Sequence, residues 1–171
     1  MIKLGQKAPN IILEGFKANH IKKYNLKDYR KKWVILFFYP LDFSFVCPTE
    51  IIALNKKYQE FADSHTEILG VSVDSVYAHQ EWSRQLGDIK FPLLSDINKE
   101  AIQKYEIDLA SGISSRGTFI IDPKGIIRYI LVSDNNVGRS VTEILRVLKA
   151  LQTGEMSPAG WKPGQKTLGK G

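Results

Sequence analysis

Trp33-Val-Ile-Leu-Phe-Phe-Tyr39 runs into Pro40-Leu-Asp-Phe-Ser-Phe-Val-Cys47 and then into Pro48-Thr-Glu50, and the fold is read from this junction. The first piece is a continuous apolar run, rich in aromatic and branched residues and short enough for a strand buried on both faces. From Pro48 to about Asp63 the period turns helical. Ile51, Leu54, Tyr58 and Phe61 fall on one face, with lysines and acids elsewhere. The chain thus passes from a buried strand through a loop into a helix. In open α/β sheets, sites gather at the carboxyl ends of strands.

Downstream, Ile68-Leu-Gly-Val-Ser-Val73 predicts a second buried strand and Val76 to Gln85 a helix. Phe91-Pro-Leu-Leu94 reads as a short extended piece, and Lys99 to Tyr105 as a short helix. Thr118–Ile121 and Ile126–Val132 are strands joined by Asp122-Pro-Lys-Gly125, whose Asp, Pro and Gly stand where a type I turn favours them. Ser140 and Glu143 predict a capping box opening a last helix, with Val141, Ile144, Leu145, Leu148 and Leu151 on its buried side. Upstream, Lys22-Lys23, Lys27 and Arg30-Lys31-Lys32 are interrupted by Tyr24, Leu26 and Tyr29, which reads as a solvated turn around a small core contact. The expected fold class is α/β, a mixed central β-sheet flanked by helices on both faces. One domain over 1–171 is expected, with 153–171 as a C-terminal tail.

Composition narrows the function classes. The chain has 171 residues, 43% of them hydrophobic, and no run approaches the ~18 apolar residues of a membrane span. Its start, Met1-Ile-Lys-Leu-Gly-Gln-Lys-Ala-Pro9, lacks the apolar core of a signal peptide, so a cytoplasmic protein is expected. The net charge of +6 is scattered, and no standard nucleic-acid motif is present, so neither nucleic acid nor membrane is expected as a partner. A lone cysteine excludes an intramolecular disulfide framework and suits a reducing compartment.

That cysteine sits at the strand-to-helix corner. Pro48 suits the first helical position, which would put Cys47 at the helix mouth and Glu50 at the third helical position. A thiolate there meets the positive end of the helix dipole. A single cysteine is more often a small buried apolar residue. Its place at a corner, outside any apolar face, argues for a nucleophile.

Pro40-Leu-Asp-Phe-Ser-Phe-Val-Cys47 resembles the peroxiredoxin signature Pro-x-x-x-Thr/Ser-x-x-Cys, and Pro48-Thr-Glu50 is similar to its continuation in the alkyl hydroperoxide reductase C and typical two-cysteine branch. Further ordered likenesses are Gly5-x-x-Ala8-Pro9, Gly70-Val-Ser-Val-Asp74, His79 with Trp82, Phe91-Pro-Leu-Leu-Ser-Asp96, Arg116-Gly-Thr-Phe-Ile-Ile-Asp122 and Val137-Gly-Arg-Ser140. The resemblance implies a thioredoxin-like fold and a thiol-dependent peroxidase without metal or cofactor. It implies that Cys47 attacks the hydroperoxide, that Ser44 bonds it and that Pro40 shields the thiolate from water. It further implies that Arg116 approaches thiolate and peroxide, and that Glu50 and Arg139 orient Arg116. Taken singly, each residue also fits a plainer role in a loop, cap or surface; their order together points to a site. His79 and Trp82, three apart, read as packing or interface residues, and His20 and His65 as loop residues. No acid or cysteine lies at ligand spacing from His79, so no metal is expected there.

The sequence departs from that branch at Gly154-Glu-Met-Ser-Pro158, where Ser157 occupies the position of the resolving cysteine. Serine forms no disulfide, so two readings follow: a one-cysteine enzyme reduced by an outside thiol, or a cysteine-to-serine variant of a thioredoxin-dependent parent. The Gly-Gly-Leu-Gly loop is replaced by Arg84-Gln-Leu-Gly-Asp88, and no terminal helix bearing Tyr-Phe follows, which implies resistance to overoxidation. The resemblance also implies a homodimer through an edge strand at 126–132, and a decamer. A holdase chaperone or structural ring is the alternative function. A thiol–disulfide oxidoreductase would need a second thiol, and position 50 is glutamate.

Overall fold

The computed structural model describes residues 2–171, which divide into two compact units, one ending at Arg139 and the other spanning Ser140–Gly171. The first unit is built on seven strands: β1 (Ile12–Lys17), β2 (His20–Asn25), β3 (Trp33–Phe38), β4 (Thr66–Ser72), β5 (Leu93–Ser95), β6 (Arg116–Ile121) and β7 (Ile127–Ser133). Their order across the sheet is β2-β1-β5-β4-β3-β6-β7. β3–β4 and β4–β5 are parallel and the other pairings antiparallel, so the sheet is mixed. Its helices are α1 (Cys47–Lys56), α2 (Tyr58–Asp63), α3 (Val76–Gln85) and α4 (Glu100–Lys104).

β3 is an inner strand, between β4 and β6, and Val34 through Phe38 are all buried, as a continuous apolar run requires of a strand covered on both faces. Val34, Leu36 and Phe38 join one core with Leu69, Val71, Tyr105 and Phe119. The aromatic rings of Phe38, Tyr105 and Phe119 pack at tilted and edge-on angles, with centroids 4.8–5.9 Å apart. Gly125 N–H donates to the Asp122 carbonyl at 2.8 Å, closing the β6–β7 turn.

Several expectations are corrected. The basic stretch after Asn19 is a turn around a core contact only in its second half. It forms β2 and a 3-10 turn at Leu26–Tyr29, with Tyr24 and Leu26 buried. His20 accordingly opens β2, whereas His65 does lie between elements. The helix expected over 48–63 is broken at Lys57, although Ile51, Leu54 and Phe61 all bury. The apolar period bridges the break, so it carries no sign of it. The extended piece at 91–94 is ordered as a strand only over Leu93–Ser95.

The second unit consists of α5 (Val141–Thr153) and the segment after it. Ser140 Oγ accepts from Glu143 N–H at 3.2 Å, but the Glu143 carboxylate pairs with Arg146 at 2.6 Å instead of completing the expected capping box. Gly154, at φ 65°, ends the helix in the left-handed region. The tail folds back on itself: Met156 N–H donates to the Gly169 carbonyl at 2.9 Å and Leu168 N–H to that of Met156 at 2.8 Å. No helix among the described residues is long and apolar enough to cross a membrane.

Candidate active site

Because β3 and β6 are antiparallel, with Phe37 opposite Thr118, the end of β3 lies beside the start of β6. The strand-to-helix corner therefore faces Arg116, the first residue of β6. The helix itself begins one residue earlier than expected. Val46 is the cap residue and lends no side-chain hydrogen bond, Cys47 is the first helical residue, and Pro48 follows it. Glu50 consequently stands one position deeper in the helix. The Val46 carbonyl accepts from Thr49 N–H at 3.0 Å and from Thr49 Oγ1 at 2.6 Å, which ties down the first turn.

Cys47 is wholly buried, at 0% exposure, yet its Sγ lies 3.4 Å from Arg116 Nη1. That same nitrogen donates to Glu50 Oε2 at 2.7 Å. Arg116 Nε and Nη2 both donate to the Asn135 carbonyl, at 3.0 and 2.8 Å, so the guanidinium is gripped along one edge and aimed with the other. Arg139 donates to Glu50 Oε1 from its backbone N–H at 2.7 Å and from Nε at 2.9 Å, and to Oε2 from Nη2 at 3.0 Å. Its Nη1 reaches the Gly117 carbonyl at 2.8 Å and Thr118 Oγ1 at 3.0 Å. Its guanidinium carbon lies 3.4 Å from the centroid of the Phe37 ring.

Burial alone would push the Glu50 carboxyl up, but the hydrogen bonds and charge of Arg139, with the charge of Arg116, bring it below its ordinary range. Burial also lowers Arg139, against the pull of Glu50. The formal count is decisive. Two buried guanidiniums face one buried carboxylate, leaving a single positive charge beside the sulfur. Buried charge demands compensation, and Cys47 Sγ is the group within reach of this one.

Pro40 is buried at the start of the intervening loop, and Ser44, half-buried, donates its hydroxyl to the Leu41 carbonyl at 2.9 Å. The structure thus brings Cys47, Glu50, Arg116 and Arg139 into one hydrogen-bonded cluster, with Pro40 and Ser44 on the loop leading to it. Ser157 belongs to the second unit, half-buried, with a buried Oγ that has no hydrogen-bond partner.

The chain's residues 4–130 match the model of the AhpC/TSA family. This chain belongs to that family, and is a peroxiredoxin. The peroxiredoxin is 47% identical to the chloroplastic 2-Cys peroxiredoxin BAS1 of Hordeum vulgare, over 96% of this chain and 84% of that protein. It is 47% identical to the mitochondrial thioredoxin-dependent peroxide reductase of Drosophila melanogaster, over 95% of this chain and 74% of the other. The reduced 2-Cys peroxiredoxin of Plasmodium vivax superposes with a TM-score of 0.92 at 40% identity, covering 95% of this chain and 91% of that one. The thioredoxin-like α/β fold is therefore that of this peroxiredoxin too.

Two features of the site escape sequence reasoning. Asn135 acts through its backbone carbonyl, so its side chain announces nothing. His79, expected to pack, does bury fully, but its Nδ1 lies 2.7 Å from Asp42 Oδ2. Asp42, five residues before Cys47, also accepts from Tyr39 Oη at 2.8 Å. Burial pushes its carboxyl up, against the hydrogen bond and charge of His79.

Proposed function

We propose that this peroxiredoxin reduces hydrogen peroxide and organic hydroperoxides through a Cys47 thiolate. The uncompensated positive charge beside Cys47 Sγ is the observation that carries this reading. The thiolate attacks the terminal oxygen of R–O–OH. An S–O bond forms, the O–O bond breaks, and the alkoxide leaves and takes up a proton, giving ROH and a sulfenic acid on Cys47. Arg116, touching the sulfur, is placed to bind charge on the departing oxygen, and Ser44 to bond the bound peroxide. Pro40 keeps water from the sulfur, and Glu50 with Arg139 fixes the aim of Arg116.

Ionisation alone explains little. For thiols in general, lowering a pKa from about 8.5 to about 6 raises the thiolate fraction at pH 7 about 30-fold. At a Brønsted slope of about 0.45 the same change costs about 13-fold in nucleophilicity, leaving roughly twofold. Donors aimed at the leaving oxygen supply the remainder, each worth about 100- to 1,000-fold where such groups have been removed. Arg116→Ala is therefore expected to slow Cys47 oxidation by about 100-fold or more, well beyond its loss of thiolate. Stopped-flow peroxide kinetics beside thiolate titration measures both, and equal losses refute the role.

With Ser157 in place of a second cysteine, the sulfenic acid is returned to thiol by an outside thiol of the thioredoxin or small-molecule class. Multiple turnovers of peroxide per Cys47 in dithiothreitol support this cycle. A reducing, cytoplasm-like compartment suits a sulfur that must be re-reduced at each turnover. Assembly belongs to the same reading. β7 is the last strand of the sheet, its outer side bonded at Ile127 by Gly5 and Gln6, and addition of a second chain along the remainder of a terminal strand would give a homodimer and, from dimers, a decamer.

A further inference from the structure

Asp42 and His79 do no chemistry in the scheme above, yet both side chains are completely buried. A buried carboxylate is tolerated only where its oxygens are bonded. Those of Asp42 take Tyr39 Oη at 2.8 Å and His79 Nδ1 at 2.7 Å. The carboxylate only accepts, so Nδ1 is the protonated ring nitrogen, and Nε2 is left buried without a partner. The Asp42 N–H donates to Asp74 Oδ2 at 2.9 Å, and Asp74 is itself held by Ser72 Oγ at 2.6 Å. Asp42 is thereby tied to the end of β3, to the segment after β4 and to α3 at once.

The residue after this anchor is Phe43, at φ 54°, a left-handed conformation that a bulky side chain disfavours. Left to itself, the loop would relax there. Ser44, whose hydroxyl turns back to the Leu41 carbonyl at 2.9 Å, is the next residue, and Cys47 follows three later. Strain of this kind persists where surrounding contacts over-determine it, and here these are the bonds that converge on Asp42 and the packing of the Phe43 ring on Trp82, centroids 6.2 Å apart.

We propose that the buried Asp42–His79 pair is a positioning device that holds the Pro40–Cys47 loop, through the strained Phe43, in the shape peroxide reduction requires. The role rests on the peroxidase reading of Cys47. His79 and Asp42 are positioning residues that act through the loop.

The test uses the full chain, reduced and freed of reductant, with two rates measured on each variant: oxidation of Cys47 by hydrogen peroxide and its alkylation by iodoacetamide. Alkylation reports an available thiolate and needs no aligned peroxide. His79→Leu keeps bulk but removes the donor, whereas His79→Asn retains an amide N–H near the place of Nδ1. Because a misplacement of about 1 Å can cost about 100-fold, His79→Leu is expected to slow oxidation at least fivefold. Alkylation should stay within threefold of the parent, and His79→Asn should recover more than half of the loss on a logarithmic scale. A loss under fivefold, a parallel change in alkylation, or no recovery with asparagine overturns the role. Should His79→Leu fail to fold, Asp42→Asn, isosteric but unable to accept from both donors, is held to the same limits for the two rates. A parent chain that does not react with peroxide overturns the peroxidase reading itself; a reactive parent matched by its variants overturns only the positioning role.

Discussion

At the scale of single residues, Glu50 decides whether the site is stable as well as whether it is aimed. Its carboxylate is the shared counter-ion of two guanidiniums that have no water to turn to. Glu50→Gln strands them, and removing one partner of a buried ion pair costs about 3–5 kcal/mol. The pH dependence follows from the lowered carboxyl. A folded-state value below the unfolded one contributes stability above the unfolded value, which is lost as pH falls through the depressed folded value. The difference in urea-unfolding free energy between parent and Glu50→Gln should be full at neutral pH. It should shrink as acid protonates Glu50 and makes the two chains alike. A gap independent of pH would contradict the assignment. The residues of this cluster were legible in the sequence because they fall in short ordered motifs around positions 47, 116 and 139. The Asp42–His79 bond joins residues in separate motifs, neither carrying a local sign of the other, and only the folded chain reveals it.

At the scale of elements, the strands buried on both faces and the helices with a clear apolar period were readable, since each carries its burial in its own sequence. The β1–β2 hairpin was not. β2 is exposed at four of its six positions and has no alternation to detect, and its two-residue turn is Ala18-Asn19, both at positive φ, without the glycine that usually marks one. Gly15 further weakens β1 as a strand signal. Its absence of a side chain is what the packing needs: a Cβ there would lie 2.4 Å from Leu94 Cδ2 and 3.0 Å from the Leu93 carbonyl oxygen. Gly15→Ala is therefore expected to destabilise the chain by about 1–3 kcal/mol through overpacking, measured by denaturant unfolding. An unchanged midpoint would mean that β1 does not press on β5 as described.

At the scale of the whole molecule, assembly and reduction become testable together. If β7 is the contact between copies, Val132→Asp, at a half-exposed edge position, should shift the chain toward monomer in analytical ultracentrifugation at fixed concentration. A distribution identical to the parent's would place the contact elsewhere. Ser157→Cys should supply a disulfide partner, so that stoichiometric peroxide yields a dimer band on non-reducing gels that dithiothreitol removes. The parent, with Cys47 as its one thiol, should give none.

If Cys47 reacts as proposed, its lack of exposed surface would sort its reaction partners by size before any chemistry begins. On the proposed chemistry, a hydroperoxide would be small enough to be drawn in to the sulfur, whereas a reducing protein would have to wait for the sulfur to be brought out. The segment that would have to give way is the opening turn of α1, whose cap residue Val46 lends no side-chain hydrogen bond and whose hold is the pair of bonds from Thr49 to the Val46 carbonyl. In the proposed cycle, the ease with which that turn frays would set the tempo at which the oxidised enzyme is handed back.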